Sequence, residues 1–331
     1  MTDRILAVRN SWVFNWKLDL LSFVAPFIVA YFFIGTKYNS VNNYWLSFFL
    51  AKVFIGGGHI FATYIPFATG SELKKRLDKK FYIVPLVFVG TYAIANFISD
   101  VYFMNLLAIT GLAHIYLQHQ AWLKMSQGKL SPGRKKFERI FFLTILGLPN
   151  FIWFFRQLDN LPSYLYGITV TQSIPNWGIF TPGFLTVFTA VSLIISVGLG
   201  FRKENNVIVL DFARLIYFLS TTIWMCFGLF FIKSLGFFHV YLAISHGTSY
   251  MAYISQAWPK HLENGVWNSN YKFAIVCLVS LIFGLMWVGS FYLFKWTPSS
   301  LIFLPWVPLL IHYSYDSIIW RKFQSKAISN E

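Results

Sequence analysis

The sequence predicts an all-α protein: one membrane-embedded bundle of about ten transmembrane helices, residues 1–331, with both termini cytoplasmic. Composition, the length of the apolar runs and the placement of charge each point there. Of 331 residues, 56% are hydrophobic and only 12% are charged, and the mean hydropathy is +0.56. A soluble domain carries about 25% charged residues, so this chain lacks the charge to cover a surface in water. That excludes an ordinary cytosolic enzyme and a disordered chain. The only cysteines, Cys226 and Cys277, each lie inside an apolar run, which argues against a disulfide framework or a thiolate metal site.

A membrane-crossing helix needs roughly 20 mostly apolar residues. Span one, 18–36, is the first such run; nothing before it reads as a cleavage site, so it is expected to be retained. Span two, 44–67, carries Lys52 and then Gly56-Gly57-Gly58 directly before His59. Glycine in a helix interior costs about 1 kcal/mol against alanine, so three together imply close helix approach or an unwound turn beside a cavity. Spans three and four, 81–98 and 101–122, are separated only by Ser99-Asp100 and read as a tight hairpin.

Span five, 138–156, contains Pro149-Asn150, an expected kink. The segment after it, 157–177, holds Pro162, Tyr164, Tyr166, Pro175 and Trp177 and reads as an aromatic cap at the outer interface. Span six is 178–200. Spans seven and eight, 214–233 and 236–257, form a second tight pair across Ser234-Leu235. Span nine is 272–294. Span ten, 299–320, has Pro305 and Pro308 as expected kinks just before His312.

Charge tests the count. Cytoplasmic loops hold the excess of Lys and Arg. With the N-terminus inside, the segments 1–17, 68–80, 123–139, 201–214, 258–272 and 321–331 hold 22 of the 27 basic residues. The outer side holds Lys37, Arg156, Lys233 and Lys295. The net charge of +15 is therefore a topology signal. No loop is long enough for a nucleic-acid-binding domain, so no nucleic-acid partner is expected; anionic lipid headgroups suffice as partners of the basic loops.

Ionisable groups inside spans are costly and face the bundle interior. Six of the seven histidines fall in spans: His59, His114, His119, His239, His246 and His312; His261 lies in a loop. All six sit on even-numbered spans, which run from outside to inside. His59, His114 and His312 each stand eight residues before their inner ends, and His246 eleven. At about 1.5 Å per residue, these four share one depth to within about a turn. Four imidazoles from four helices at one level make a bundle-core metal site. Imidazole suits Fe, Cu, Zn and Ni.

Residues four positions on share a helix face. His59 is followed by Thr63, His114 by Gln118, His246 by Tyr250 and His312 by Asp316, a polar set one turn further in. A ligating histidine usually gives its other N–H to such an acceptor, and Asp316 is the best candidate; a structural pairing of Asp316 with Arg321 is the alternative. His239, two turns outward from His246 on the same face, is a candidate entry-path or second-site residue. His119 points away from His114 and is the poorer ligand.

The stretches Gly57-Gly58-His59-Ile60-Phe61-Ala62-Thr63-Tyr64, Ser245-His246-Gly247-Thr248-Ser249-Tyr250 and 312–321 resemble recurring motifs of uncharacterised polytopic bacterial membrane proteins. In overall design the chain is similar to the Brp/Blh-type membrane β-carotene dioxygenases. That likeness implies a many-helix bundle with a histidine-ligated non-haem Fe2+ centre that cleaves an apolar polyene with O2, in a bacterial inner membrane. The chain departs from membrane fatty-acid desaturases, whose dense histidine boxes are absent.

Three functions compete. One is an intramembrane non-haem iron oxygenase acting on a carotenoid, isoprenoid or other lipid-soluble substrate. Another is a haem-binding electron-transfer protein, which needs a histidine pair per haem. The last is a transporter or channel whose histidines bind cargo or protons.

Overall fold

The computed structural model describes residues 7–9, 12–13, 15–34, 57–64, 79–127, 130–157, 182–204, 207–231, 235–256, 272–294 and 303–316. The chain is mostly helical. In order, the helices are α1 (Trp16–Ile34), α2 (Gly58–Ala62), α3 (Lys80–Ile98), α4 (Asp100–Gln127), α5 (Pro132–Gln157), α6 (Pro182–Leu199), α7 (Phe212–Phe231), α8 (Leu235–Gln256) and α9 (Lys272–Phe294). A 3-10 turn at Leu304–Trp306 leads into the last, α10 (307–316).

Each helix falls on an apolar run read from the sequence, with informative differences at the ends. α3 and α4 are parted by Ser99 alone, whose extended backbone (φ −171°, ψ 140°) interrupts the helix. α5 starts six residues before the apolar run, because Ser131 and Pro132 form a helix start: the Arg134 N–H donates to the Ser131 hydroxyl at 3.4 Å, and proline suits the first helical position. Pro149 stays inside an unbroken α5. Pro305 and Pro308 mark the 3-10-to-α entry of α10 rather than a kink within it. The outer part of span ten, most of span two with Lys52 and Gly56, residues 158–177 of the segment after span five, His261 and Arg321 lie outside the described residues.

A small sheet departs from the expectation of a plain loop between spans six and seven. Strands β1 (Ala7–Arg9), β2 (Phe201–Glu204) and β3 (Val207–Asp211) pair in the order β1-β3-β2. β1 runs parallel to β3, with Ala7 opposite Val209, and β2 runs antiparallel, with Phe201 opposite Leu210. The Val-Ile-Val run of β3 has the β-branched chemistry of strands.

Packing joins α1 to α8 and α7, α7 to α5 and α6, α3 to α4, and α2 to α8 and α9. One apolar cluster centres on Trp122, Phe142, Tyr217 and Phe218, where Phe142 stacks on Tyr217 at 5.2 Å. A second gathers Ile60, Tyr92, Phe103, Leu107, Trp287 and Leu310. On α4, Phe103 and Leu107 belong to the second cluster and Trp122 to the first, so His114 falls between the two.

Much of the outer surface is apolar. Phe97 is 83% exposed, Leu86 72% and Ile194 71%. Among the described residues, two helical stretches, Pro182–Leu199 and Phe212–Phe230, are long and apolar enough to cross a membrane by length and composition.

Candidate metal centre

Four helices each bring one histidine to the same point. Gly57 and Gly58 are buried, and a Cβ on Gly58 would stand 2.8 Å from the Ser280 Cβ. The missing side chain lets α2 lie against α9, the close-approach reading of the glycine run. α2 thereby places His59; α4 places His114, α8 His246 and α10 His312. All four are buried, and one ring nitrogen from each lies within 4.8 Å of the others.

The rings form a closed cycle. Centroids are 4.7 Å apart for His59–His246, His246–His114 and His114–His312, and 4.9 Å for His312–His59. Neighbouring planes cross at 70–86°. The His114 Nε2 lies 2.9 Å from the His246 Nε2 and 3.1 Å from the His312 Nε2.

Hydrogen bonds around the cycle assign the protons of two of the rings, His114 and His312. The His114 Nδ1 is 3.2 Å from Asp316 Oδ2, so it donates there and its Nε2 keeps a lone pair. The Tyr250 hydroxyl donates to Asp316 Oδ1 at 2.5 Å. Having given its proton there, it can only accept from the Thr63 hydroxyl at 2.7 Å. The Thr63 oxygen in turn accepts from the His312 Nδ1 at 2.5 Å. One directed chain therefore runs His312, Thr63, Tyr250, Asp316, and closes on His114.

Both end histidines thus present Nε2 lone pairs to each other at 3.1 Å. Two acceptors face to face repel, and a cation between them turns the repulsion into ligation. Two nitrogens bound at right angles to one ion at about 2.1 Å stand about 3 Å apart, which matches the observed spacing. His246 adds a ring whose Nδ1 has no hydrogen-bond partner among the described residues. The donor set fits a divalent ion of the imidazole-favouring group.

The polar set read from the sequence is present but wired across helices. Thr63 meets the His312 ring at 2.5 Å and reaches only the backbone carbonyl of His59, at 3.4 Å. Gln118 gives its amide N–H to Ser249 Oγ at 2.9 Å and to the His246 carbonyl at 3.3 Å. Asp316 reaches His114 at 3.2 Å and His312 at 3.5 Å. His119 is buried against Phe142 at 5.6 Å, outside the cycle. His239 lies on α8, and its side chain lies outside the described residues.

Sequence reasoning missed Tyr313, whose ring tilts over His114 with centroids 4.6 Å apart. Its place beside His312 carried no periodic signal. It also missed a second buried polar group. Arg214 and Glu138 pair directly, and Arg134 Nε joins at 3.0 Å.

No protein-family model, curated protein or solved structure matches the chain.

Proposed function

We propose that this chain is a polytopic membrane metalloenzyme, a non-haem iron oxygenase in which His59, His114, His246 and His312 hold the ion and a lipid-soluble substrate is oxidised beside it. The observation that carries this reading is the convergence of four buried imidazoles, with two Nε2 lone pairs facing each other because Asp316 anchors both rings. The ten-span topology is supported by the apolar outer surface, by helices that coincide with the apolar runs, and by the charge asymmetry of the loops.

A bound ferrous ion would supply O2 activation. The chain's own residues prepare the place. Asp316 accepts a hydrogen bond from the His114 N–H directly and is linked to the His312 N–H through Tyr250 and Thr63, which would fix both tautomers and make both rings stronger donors. The apolar cluster around Ile60, Leu107 and Leu310 keeps water from the ring edges. The substrate class follows from the surroundings: an isoprenoid, a carotenoid or another lipid reaches such a site from the bilayer.

The geometry favours a single ion over haem. A porphyrin needs a flat slot between two axial imidazoles, whereas here four rings pack edge to face with ring nitrogens in contact.

Metal analysis and an optical spectrum of the purified protein test the reading. The expected result is one iron per chain, no Soret band, and loss of the metal in both His114→Ala and His312→Ala. A Soret band, or wild-type metal content in those variants, overturns it.

A further inference from the structure

The third ring of the cycle carries its proton on the nitrogen that a metal would need. Asp316 accepts from the His114 Nδ1–H at 3.2 Å, so the His114 Nε2 is an acceptor. The His246 Nε2 lies 2.9 Å from it. A hydrogen bond between two ring nitrogens needs one N–H, so His246 donates. Its proton is on Nε2, and its Nδ1 is a bare lone pair. The surroundings of Nδ1 fit that assignment: the ring is buried, and nothing among the described residues bonds to Nδ1.

Gln118 has the complementary need. It is fully buried on α4, one turn past His114 on the same face. Its carboxamide lies against the main chain of α8, where the N–H2 group donates to the His246 carbonyl at 3.3 Å and to Ser249 Oγ at 2.9 Å. A carbonyl cannot donate, so the His246 oxygen fixes which way the amide faces. Ser249 agrees: its hydroxyl proton goes to the Ser245 or the His246 carbonyl, each at 3.0 Å, and its oxygen is left to accept. Gln118 Oε1 is therefore the end of the amide that neither group uses, and nothing among the described residues donates to it. One residue of α8 thus meets a buried acceptor that lacks a donor, and itself carries a ring nitrogen that can become one. Buried polar atoms without partners are few in a folded chain and call for an explanation.

We propose that His246 changes tautomer when the ion binds and that Gln118 is the positioning residue that holds the new one. The ion needs the His246 Nε2 lone pair. The N–H bond at Nε2 breaks and one forms at Nδ1, the proton being carried by water that the incoming hydrated ion sheds. The ring stays neutral and no electron moves. The new Nδ1–H donates to Gln118 Oε1, directly or through one bridging water. Two ligands are then preset, because the Nδ1–H groups of His114 and His312 are already committed to Asp316 and Thr63, and the third is switched by the metal itself. The proposal rests on the metal reading above, and it also makes a claim about the metal-free chain.

The experiment uses the full chain in nanodiscs with 15N-labelled histidine rings, whose NMR shifts tell Nδ1–H from Nε2–H; single histidine variants assign the signals. The probe is Zn2+, a diamagnetic ion of the imidazole-favouring group. Expected without metal is Nε2–H on His246 and Nδ1–H on His114 and His312. Saturation with Zn2+ should move the His246 proton to Nδ1 and leave the other two in place. Gln118→Met keeps the length of the side chain and removes the acceptor. It should weaken Zn2+ binding about 10- to 100-fold by chelator competition, and Gln118→Glu, which keeps an oxygen there, should restore most of that loss. The wild-type spectra decide the tautomers even if a Gln118 variant folds poorly. Nδ1–H on His246 before metal is added, Nε2–H retained in the Zn2+-bound protein, or wild-type affinity in a folded Gln118→Met overturns the switch and leaves the metal reading standing. Failure of Zn2+ to bind overturns the metal reading, and the switch falls with it.

Discussion

Glu138 and Asp316 are both carboxylates buried within helices, at 0% and 2% exposure, and their partners differ in kind. Glu138 takes the guanidiniums of Arg214 and Arg134 on Oε1 and the Gln127 amide on Oε2 at 3.0 Å. Arg214 spends its other donors on the Ser126 carbonyl at 2.7 Å and the Ser126 hydroxyl at 3.2 Å. There the carboxylate is fully spent on guanidinium and amide donors, and the guanidiniums also reach backbone carbonyls. It staples α4, α5 and α7 together, and the Arg134 guanidinium also donates to the Gly198 and Phe201 carbonyls, tying in the end of α6 and β2. Asp316 instead meets two imidazoles and a phenol, and its effect is to turn ring lone pairs toward one another. Buried charge that closes on itself holds a fold; buried donors that converge unspent mark a place for a cation.

Substitutions can separate the two. His114→Ala should have the largest effect: it deletes the ring that touches His246, His312 and Asp316, and metal content by mass spectrometry should fall to background while the folded helical signal remains. Arg214→Met should do the opposite. It leaves Glu138 buried with one guanidinium fewer, at a cost of about 3 kcal/mol in stability, read as a lower melting temperature, with unchanged metal per folded chain. If it strips the metal instead, the two clusters are one unit. Asp316→Asn keeps the shape but offers an N–H where acceptors are needed; metal affinity, measured by chelator competition, should weaken about 10- to 100-fold. Tyr250→Phe breaks the chain one link earlier and should cost less, about tenfold or under. An Asp316→Asn protein that binds metal like wild type would show that the histidines ligate without their carboxylate.

The readable part of this architecture followed from physics acting along one helix. Apolar runs of about 20 residues located α3, α4, α8 and α9 to within a few residues, apart from the C-terminal extension of α4. The four histidines were legible because their positions, counted back from the ends of their apolar runs, nearly match, and they do converge. What crossed between helices was not. Thr63 was assigned to His59 because the two share a face, yet its oxygen turns to His312, a choice made by tertiary packing. The strands β2 and β3 are four and five residues long, too short for periodicity to register beside so many apolar helices. The start of α5 was missed because Arg134, Lys135 and Lys136 spoil an apolar template while suiting a helix well. The Ser131-Pro132 pair was the available signal.

The directed chain at the centre also bears on the order of assembly. Thr63 lies 187 residues from Tyr250 and 249 from His312, and His114 lies 198 residues from His312. The ionic cluster closes over shorter loops, 4 residues for Arg134–Glu138 and 76 for Arg214–Glu138. Loop closure grows costlier and slower with separation. During synthesis the ionic staple can therefore form while the last third of the chain is still unmade, whereas the histidine ring must wait for α10. A ribosome-bound chain ending before residue 312 would already hold its staple and have three ring members in place. On the proposed function, metal capture would come late, on a nearly finished protein, and truncation at the C-terminus, rather than damage to the staple, would be the lesion that yields a folded but metal-free product.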